Sequence, residues 1–161
     1  MDKDSMIVHI EGMDEVVSFT IAIPLAATFL QLKEKIEAKT GVMVERQIIF
    51  DKVKHETLPD NFTVNNWGFQ SPAKVLLMVL PLPLGTEINI TISIPTIGED
   101  FNLIVEDKQT VLELKRKICS MRNDINPDEI LLYHLVTEME DNKHLYNYFV
   151  NQGSKIVLQF H

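Results

Sequence analysis

Chemistry would need a nucleophile beside a base, a convergent pair of acids, or a cluster of metal ligands. The one cysteine, Cys119, follows Ile118 and lies near Lys115, Arg116, Lys117 and Arg122. Cations at that spacing would lower a thiol's pKa somewhat. The plainer reading is a partly buried helix residue with no role, because no catalytic motif surrounds it. His134, His144 and His161 lack a zinc-ligand spacing. The five histidines form no H-x-x-x-H pair, and no glycine-rich phosphate loop is present. The chain is therefore expected to be no enzyme and to use neither metal nor cofactor.

What positions these residues is an ordinary globular composition, 45% hydrophobic and 24% charged over 161 residues, enough apolar material to exclude dominant disorder. No run approaches the roughly 18 apolar residues of a membrane helix. The start, Met1-Asp2-Lys3-Asp4-Ser5, lacks the regions of a secretory signal. One cysteine excludes an internal disulfide and a multi-cysteine zinc site. A cytoplasmic or nuclear location is expected, and the N-x-T triplets at Asn61 and Asn89 then read as chance matches. Net charge is −8; up to Leu80 there are 8 basic and 11 acidic residues, and after it 7 and 12. Neither part offers the basic surface that phosphate binding requires, so nucleic acid and anionic membranes are poor partners.

The strongest signal is internal repetition. Thr28-Phe-Leu-Gln-Leu-Lys-Glu-Lys-Ile36 recurs as Thr110-Val-Leu-Glu-Leu-Lys-Arg-Lys-Ile118, identical at six of nine positions with an offset of 82. The same offset carries Phe19, Ile21 and Ile23 onto Phe101, Leu103 and Val105. With small gaps, Trp67 falls on Tyr148 and Val75 on Ile156. A period near 80 is longer than a solenoid repeat and implies two copies of one domain.

Each copy reads as ββαβ…β, an α+β domain with one helix on one sheet face. Met6–Ile10 and Val17–Ile23 are β-rich runs around a turn at Glu11-Gly12-Met13-Asp14-Glu15. Phe19, Ile21 and Ile23 alternate with polar or small residues, and Pro24 stops the strand. Thr28 caps a helix with Phe29, Leu32 and Ile36 on its apolar stripe, and Gly41 ends it. Gln47–Phe50 and Val75–Leu80 are further strands. The second copy gives Glu87–Ile94 and Phe101–Glu106 around Gly98, then a helix from Thr110 to Met121. Val111, Leu114, Ile118 and Met121 face inward there, and Leu131–Val136 and Lys155–Phe160 complete the strands. Pro81-Leu82-Pro83-Leu84-Gly85 is an extended, semi-rigid linker of roughly 15 Å. The domains are thus residues 1–80 and 86–161, with 81–85 between them.

In this order the residues resemble ubiquitin and its relatives, twice over. Leu32-Lys33-x-Lys35-Ile36, Gly41, Gln47-Ile48-Ile49-Phe50 and Trp67 carry the likeness in the first copy. Leu114-Lys115-x-Lys117-Ile118, Ile125-x-Pro127-Asp128-Glu129, Leu145-x-x-Tyr148 and Ile156-Val157-Leu158 carry it in the second. The resemblance implies two consecutive β-grasp domains, each a mixed sheet on one helix. It places His134 where the family has an aromatic core residue, implying a half-buried structural histidine. Lys33, Lys35, Lys115 and Lys117 match helix lysines of the family and read as solvated residues with long apolar stems. Conjugated relatives end in a diglycine, whereas this sequence ends Gln159-Phe160-His161. Conjugation through this terminus is therefore not expected.

Function then rests on surface apolarity. In Val75–Leu80 both strand faces are apolar, with Val75, Leu77 and Val79 inward and Leu76, Met78 and Leu80 outward. Ile49 is read as pointing the same way as Leu76 and Met78. In relatives that face docks partner proteins, so Ile49, Leu76 and Met78 form the expected patch, unless the second domain covers it. Leu131, Tyr133 and Val157 form a weaker patch on the second copy, interrupted by Gln159. The expected function is a non-catalytic, monomeric module that mimics ubiquitin before ubiquitin receptors, ligases or proteasome-associated factors. A covalent modifier, were a diglycine missing from this chain, and an adaptor fragment of a larger protein are the alternatives.

Overall fold

Alternating side chains lay the first strands against one another. β1 (Ser5–Gly12) and β2 (Ser18–Pro24) pair antiparallel, with Val8 opposite Ile21 and Ile10 opposite Phe19. Directly opposed residues share a face, so these apolar side chains gather on one side. This computed structural model describes residues 4–12, 17–70 and 72–161. The opening Met1-Asp2-Lys3 and the turn residues Met13-Asp14-Glu15 lie outside the described residues.

The chain divides into two units, Met1–Leu80 and Pro81–His161. In the first, Thr28 accepts the Gln31 backbone N–H and Gln31 Oε1 accepts the Thr28 N–H, a reciprocal cap that starts α1 (Phe29–Thr40). Gly41, at φ 81°, ends it by donating its N–H to the Glu37 carbonyl. β3 (Gln47–Asp51), β4 (Glu56–Thr57), the short α2 (Val64–Trp67) and β5 (Ala73–Val79) follow. The sheet order is β2-β1-β5-β3-β4, with β1 and β5 parallel at its centre. Val8, Ile10, Ile23, Ile49, Val75 and Leu77 from the sheet and Phe29, Leu32 and Ile36 from α1 are all fully buried.

The second unit repeats the plan with β6 (Ile88–Ile94), β7 (Glu99–Val105), α3 (Val111–Met121), β8 (Ile130–His134), β9 (Thr137–Glu138) and β10 (Lys155–Phe160). Its order, β7-β6-β10-β8-β9, is the first sheet's order renumbered. Tyr148 closes a short 3-10 turn where Trp67 closes α2, as the gapped match of these two residues predicts. Met121 departs from expectation: at the last helical position it is 54% exposed, because the stripe ends at Ile118. The proline-rich connector is tied to the second unit. Leu82 N–H donates to Asp107 Oδ2 at 3.1 Å and Gly85 N–H to Glu106 Oε1 at 2.8 Å.

Candidate protein-docking faces

The reactive side chains do not assemble. Cys119 is half-buried on α3, and burial pushes its thiol pKa up, against the lowering its cationic neighbours suggested. His134 is 4% exposed, more buried than expected, and its ring bonds the Tyr148 carbonyl at 2.7 Å. His144 bonds the Lys108 carbonyl and His161 the Asp128 carbonyl, so each ring is tied to a different backbone segment. Among the described residues no three His, Cys, Asp or Glu side chains converge to hold a metal. No described helix is long and apolar enough to cross a membrane.

Two of the four helix lysines need correction, while Lys35 is exposed as expected. Lys33 pairs with Asp60 at 2.8 Å with its side chain only 12% exposed, and Lys115 pairs with Asp141 at 2.7 Å at 8%. Both are paired rather than solvated, with the stem largely covered while the partner carboxylate stays exposed. Each lies one position beyond a core leucine, close enough to the stripe to be drawn under the loop that supplies its partner. Lys117 also donates its Nζ to the Ile104 carbonyl.

On the first unit's open face, the β3–β5 register decides membership. Ile48 opposes Met78, Ile49 opposes Leu77, and Phe50 opposes Leu76. Leu77 is fully buried beneath α1, and Ile49, sharing its face, is fully buried too. Ile49 therefore does not belong to the outward patch. Leu76 and Met78 do face outward, half-buried, and their strand partners there are Phe50 and Ile48. Ile48 and Phe50 are the residues sequence reasoning missed. The signal lies in the register: Ile49 opposes Leu77, which was read as inward, and an antiparallel partner shares its side, so the residues on either side of Ile49 face outward. The face is edged by Lys52, paired with Glu11 at 2.9 Å, and by His55, whose ring lies 6.3 Å from that of Phe50.

The second unit's trio lies where it was expected. Tyr133 opposes Val157 and Leu131 opposes Gln159 across β8 and β10, all outward, with the two aliphatic residues and Tyr133 half-buried. Beside them runs a shallow groove of about 280 Å³, lined by Tyr133, Leu135, Val136, Lys155, Val157 and Gln159.

Comparison with protein-family models matches the ubiquitin family over residues 8–82 and again over 90–161. Among solved structures, the ubiquitin-like domain of an Arabidopsis thaliana protein is similar at 25% identity. That match covers 49% of this chain and 82% of that one, with a TM-score of 0.44. None of the curated proteins matches the chain.

Proposed function

The chain belongs to the ubiquitin family, and from that premise we propose that it is a non-catalytic interaction module displaying a ubiquitin-like sheet face to partners of the ubiquitin pathway. The observation that carries this is the outward quartet Ile48, Phe50, Leu76 and Met78. The register puts these four apolar side chains on the sheet face opposite the core that α1 covers. Exposed apolar clusters of this kind mark interfaces. Full burial of such a side chain from water contributes about 1.5–3 kcal/mol, and these half-buried ones correspondingly less. Association and ordering offset much of that, so transient, micromolar contacts are expected.

The test is capture from cell extract on the full chain, compared with a Phe50→Ala/Leu76→Ala variant. Ubiquitin-pathway proteins should bind the wild type, fall about tenfold on the variant, and be displaced by excess free ubiquitin. Retention by the variant, or indifference to ubiquitin, sinks the reading.

A further inference from the structure

The 82-residue offset lays Phe101 on Phe19 and Met121 on Lys39. In the first unit the Lys39 Nζ sits over the Phe19 ring, 5.5 Å from its centroid, in the last turn of α1. An ammonium over an aromatic face is attracted by the ring's negative quadrupole. The second unit keeps the ring and removes the cation. Among the described residues no cation lies over Phe101, which is half-buried. Met121 stands in the place of Lys39, an apolar side chain 54% exposed at the last position of α3.

The charge around the ring differs as well. Phe101 alternates on β7 with the buried Leu103 and Val105, so it lies on the core side of the sheet and not on the outward face. It lines a groove of about 450 Å³ with Gly98, Glu99, Asp100, Met121 and Arg122. Where the first unit has Val17 and Ser18, the second has Glu99 and Asp100. The one cation lining the groove, the Arg122 guanidinium, is already held by Glu99 and Asp124. Asp100 makes no ion pair among the described residues. Three carboxylates, of Glu99, Asp100 and Asp124, thus stand against one guanidinium, leaving the site at −2.

We propose that this groove, between the start of β7 and the end of α3, seats a lysine or arginine side chain of a partner polypeptide, with its cation over the Phe101 ring as Lys39 lies over Phe19. Glu99, on the ring's side of β7, and Asp100 beside it supply the opposite charge. The Met121 thioether, flexible and polarizable, packs along the aliphatic stem of the incoming side chain. The first unit completes this contact from its own helix, and the second takes the cation from outside. The site lies on the other side of the sheet from Tyr133 and Val157, so it does not rest on the reading of the outward faces.

The probe is a random dodecapeptide phage library selected on the full chain. Wild type should enrich peptides carrying Lys or Arg. Met121→Lys restores the first unit's arrangement and should cut that class about tenfold or more, because like charges then meet in the groove. Met121→Leu, which adds no charge, should keep it. Asn142→Lys adds the same charge beside Asp141, whose carbonyl meets the start of α3. It should change the class less than about twofold, since salt screens charges that far apart. Phe101→Leu should lower it about two- to fivefold, the loss of one cation–π contact. In NMR spectra with a selected synthetic peptide, the protons beside its cation should move upfield on wild type, through the ring current, and not on Phe101→Leu. Phe50→Ala/Leu76→Ala should leave the class intact. No basic class on wild type, its survival on Met121→Lys, or a peptide cation that does not shift overturns the proposal. An equal fall on Asn142→Lys assigns the preference to the chain's net charge of −8, and a fall on Phe50→Ala/Leu76→Ala assigns it to the first unit's sheet face. Either result sinks the groove.

Discussion

Asp51 and His134 end equivalent strands of the two units and are held by different chemistry. Asp51, 2% exposed, accepts the Trp67 Nε1–H at 2.7 Å through one oxygen and the Val53 and Lys54 N–H groups through the other. It joins α2 to the sheet and organises the four-residue turn that follows. His134 instead bonds the Tyr148 carbonyl. Because a carbonyl only accepts, Nδ1 carries the proton. Tyr148 in turn accepts the Glu140 N–H through its hydroxyl at 2.7 Å. With no carboxylate to order the next turn, the second unit uses a tight two-residue one in which both residues have positive φ, where the first unit's longer turn has one, His55. One fold thus accepts either solution provided the buried polar groups are satisfied. The freedom gained lies in the turn, beside the outward sheet face.

The largest expected effect concerns what the units share. Ile49→Ala and Leu132→Ala each empty a fully buried site and should cost about 2–5 kcal/mol, each in its own unit. Urea or thermal unfolding of the full chain reads this directly. A loss at Ile49 below about 1 kcal/mol, the size of a surface truncation, would return that residue to the outward face.

That correction shows where the sequence was readable. The repeat, the helix stripes and the Thr28 and Gly41 caps were legible because period and capping chemistry are local. The side of Ile49 was not, since Ile48-Ile49-Phe50 is apolar at three successive positions and alternation alone cannot choose a parity. The register with β5 chooses it. Lys33 and Lys115 were misread because Asp60 and Asp141 lie 27 and 26 residues further on and meet them only after folding. The Leu135-Val136 turn carries no Gly or Asn to announce itself. Membership of the outward face was half legible in the first unit, through Leu76 and Met78 without Ile48 and Phe50, and fully so for Leu131, Tyr133 and Val157 in the second.

Next in size, Asp51→Ala strands a buried indole N–H and two turn amides, where a buried unpaired donor costs about 1–3 kcal/mol. Asn in place of Asp should recover part of this, and the second unit's transition should not move. If Asp51→Ala also lowers the second transition, the units are not independent in the sense the comparison assumes.

Acid should separate the units next. Burial lowers the His134 pKa from its ordinary 6.5, with the Tyr148 hydrogen bond opposing weakly. The folded imidazole stays neutral while the unfolded one gains a proton near pH 6.5, so this stability is present above that pH and drains as pH falls below it. The second unit's melting temperature should therefore fall as pH drops below about 6.5, and His134→Phe should remove that slope. A slope surviving the substitution would place its origin elsewhere.

The smallest expected difference lies in the helix caps. Both begin with threonine, but the third helical residue is Gln31 in α1 and Glu113 in α3. Glu113 Oε1 accepts the Thr110 N–H and hydroxyl, each at 3.0 Å. These two bonds hold its carboxyl below its ordinary 4.5. A carboxylate in a first turn also meets the positive end of the helix dipole, worth about 0.3–1 kcal/mol at an exposed site. Because the folded pKa is depressed, this stability is complete above about pH 4.5 and is lost as pH falls through the folded value. Glu113→Gln should therefore lower the second unit's stability slightly at pH 7, and the difference from wild type should shrink as pH falls below about 4.5. Gln31→Glu should give the first unit the same small gain with the same pH dependence. Equal effects above and below about pH 4.5 would mean that hydrogen-bond geometry alone, without charge, sets the strength of these caps.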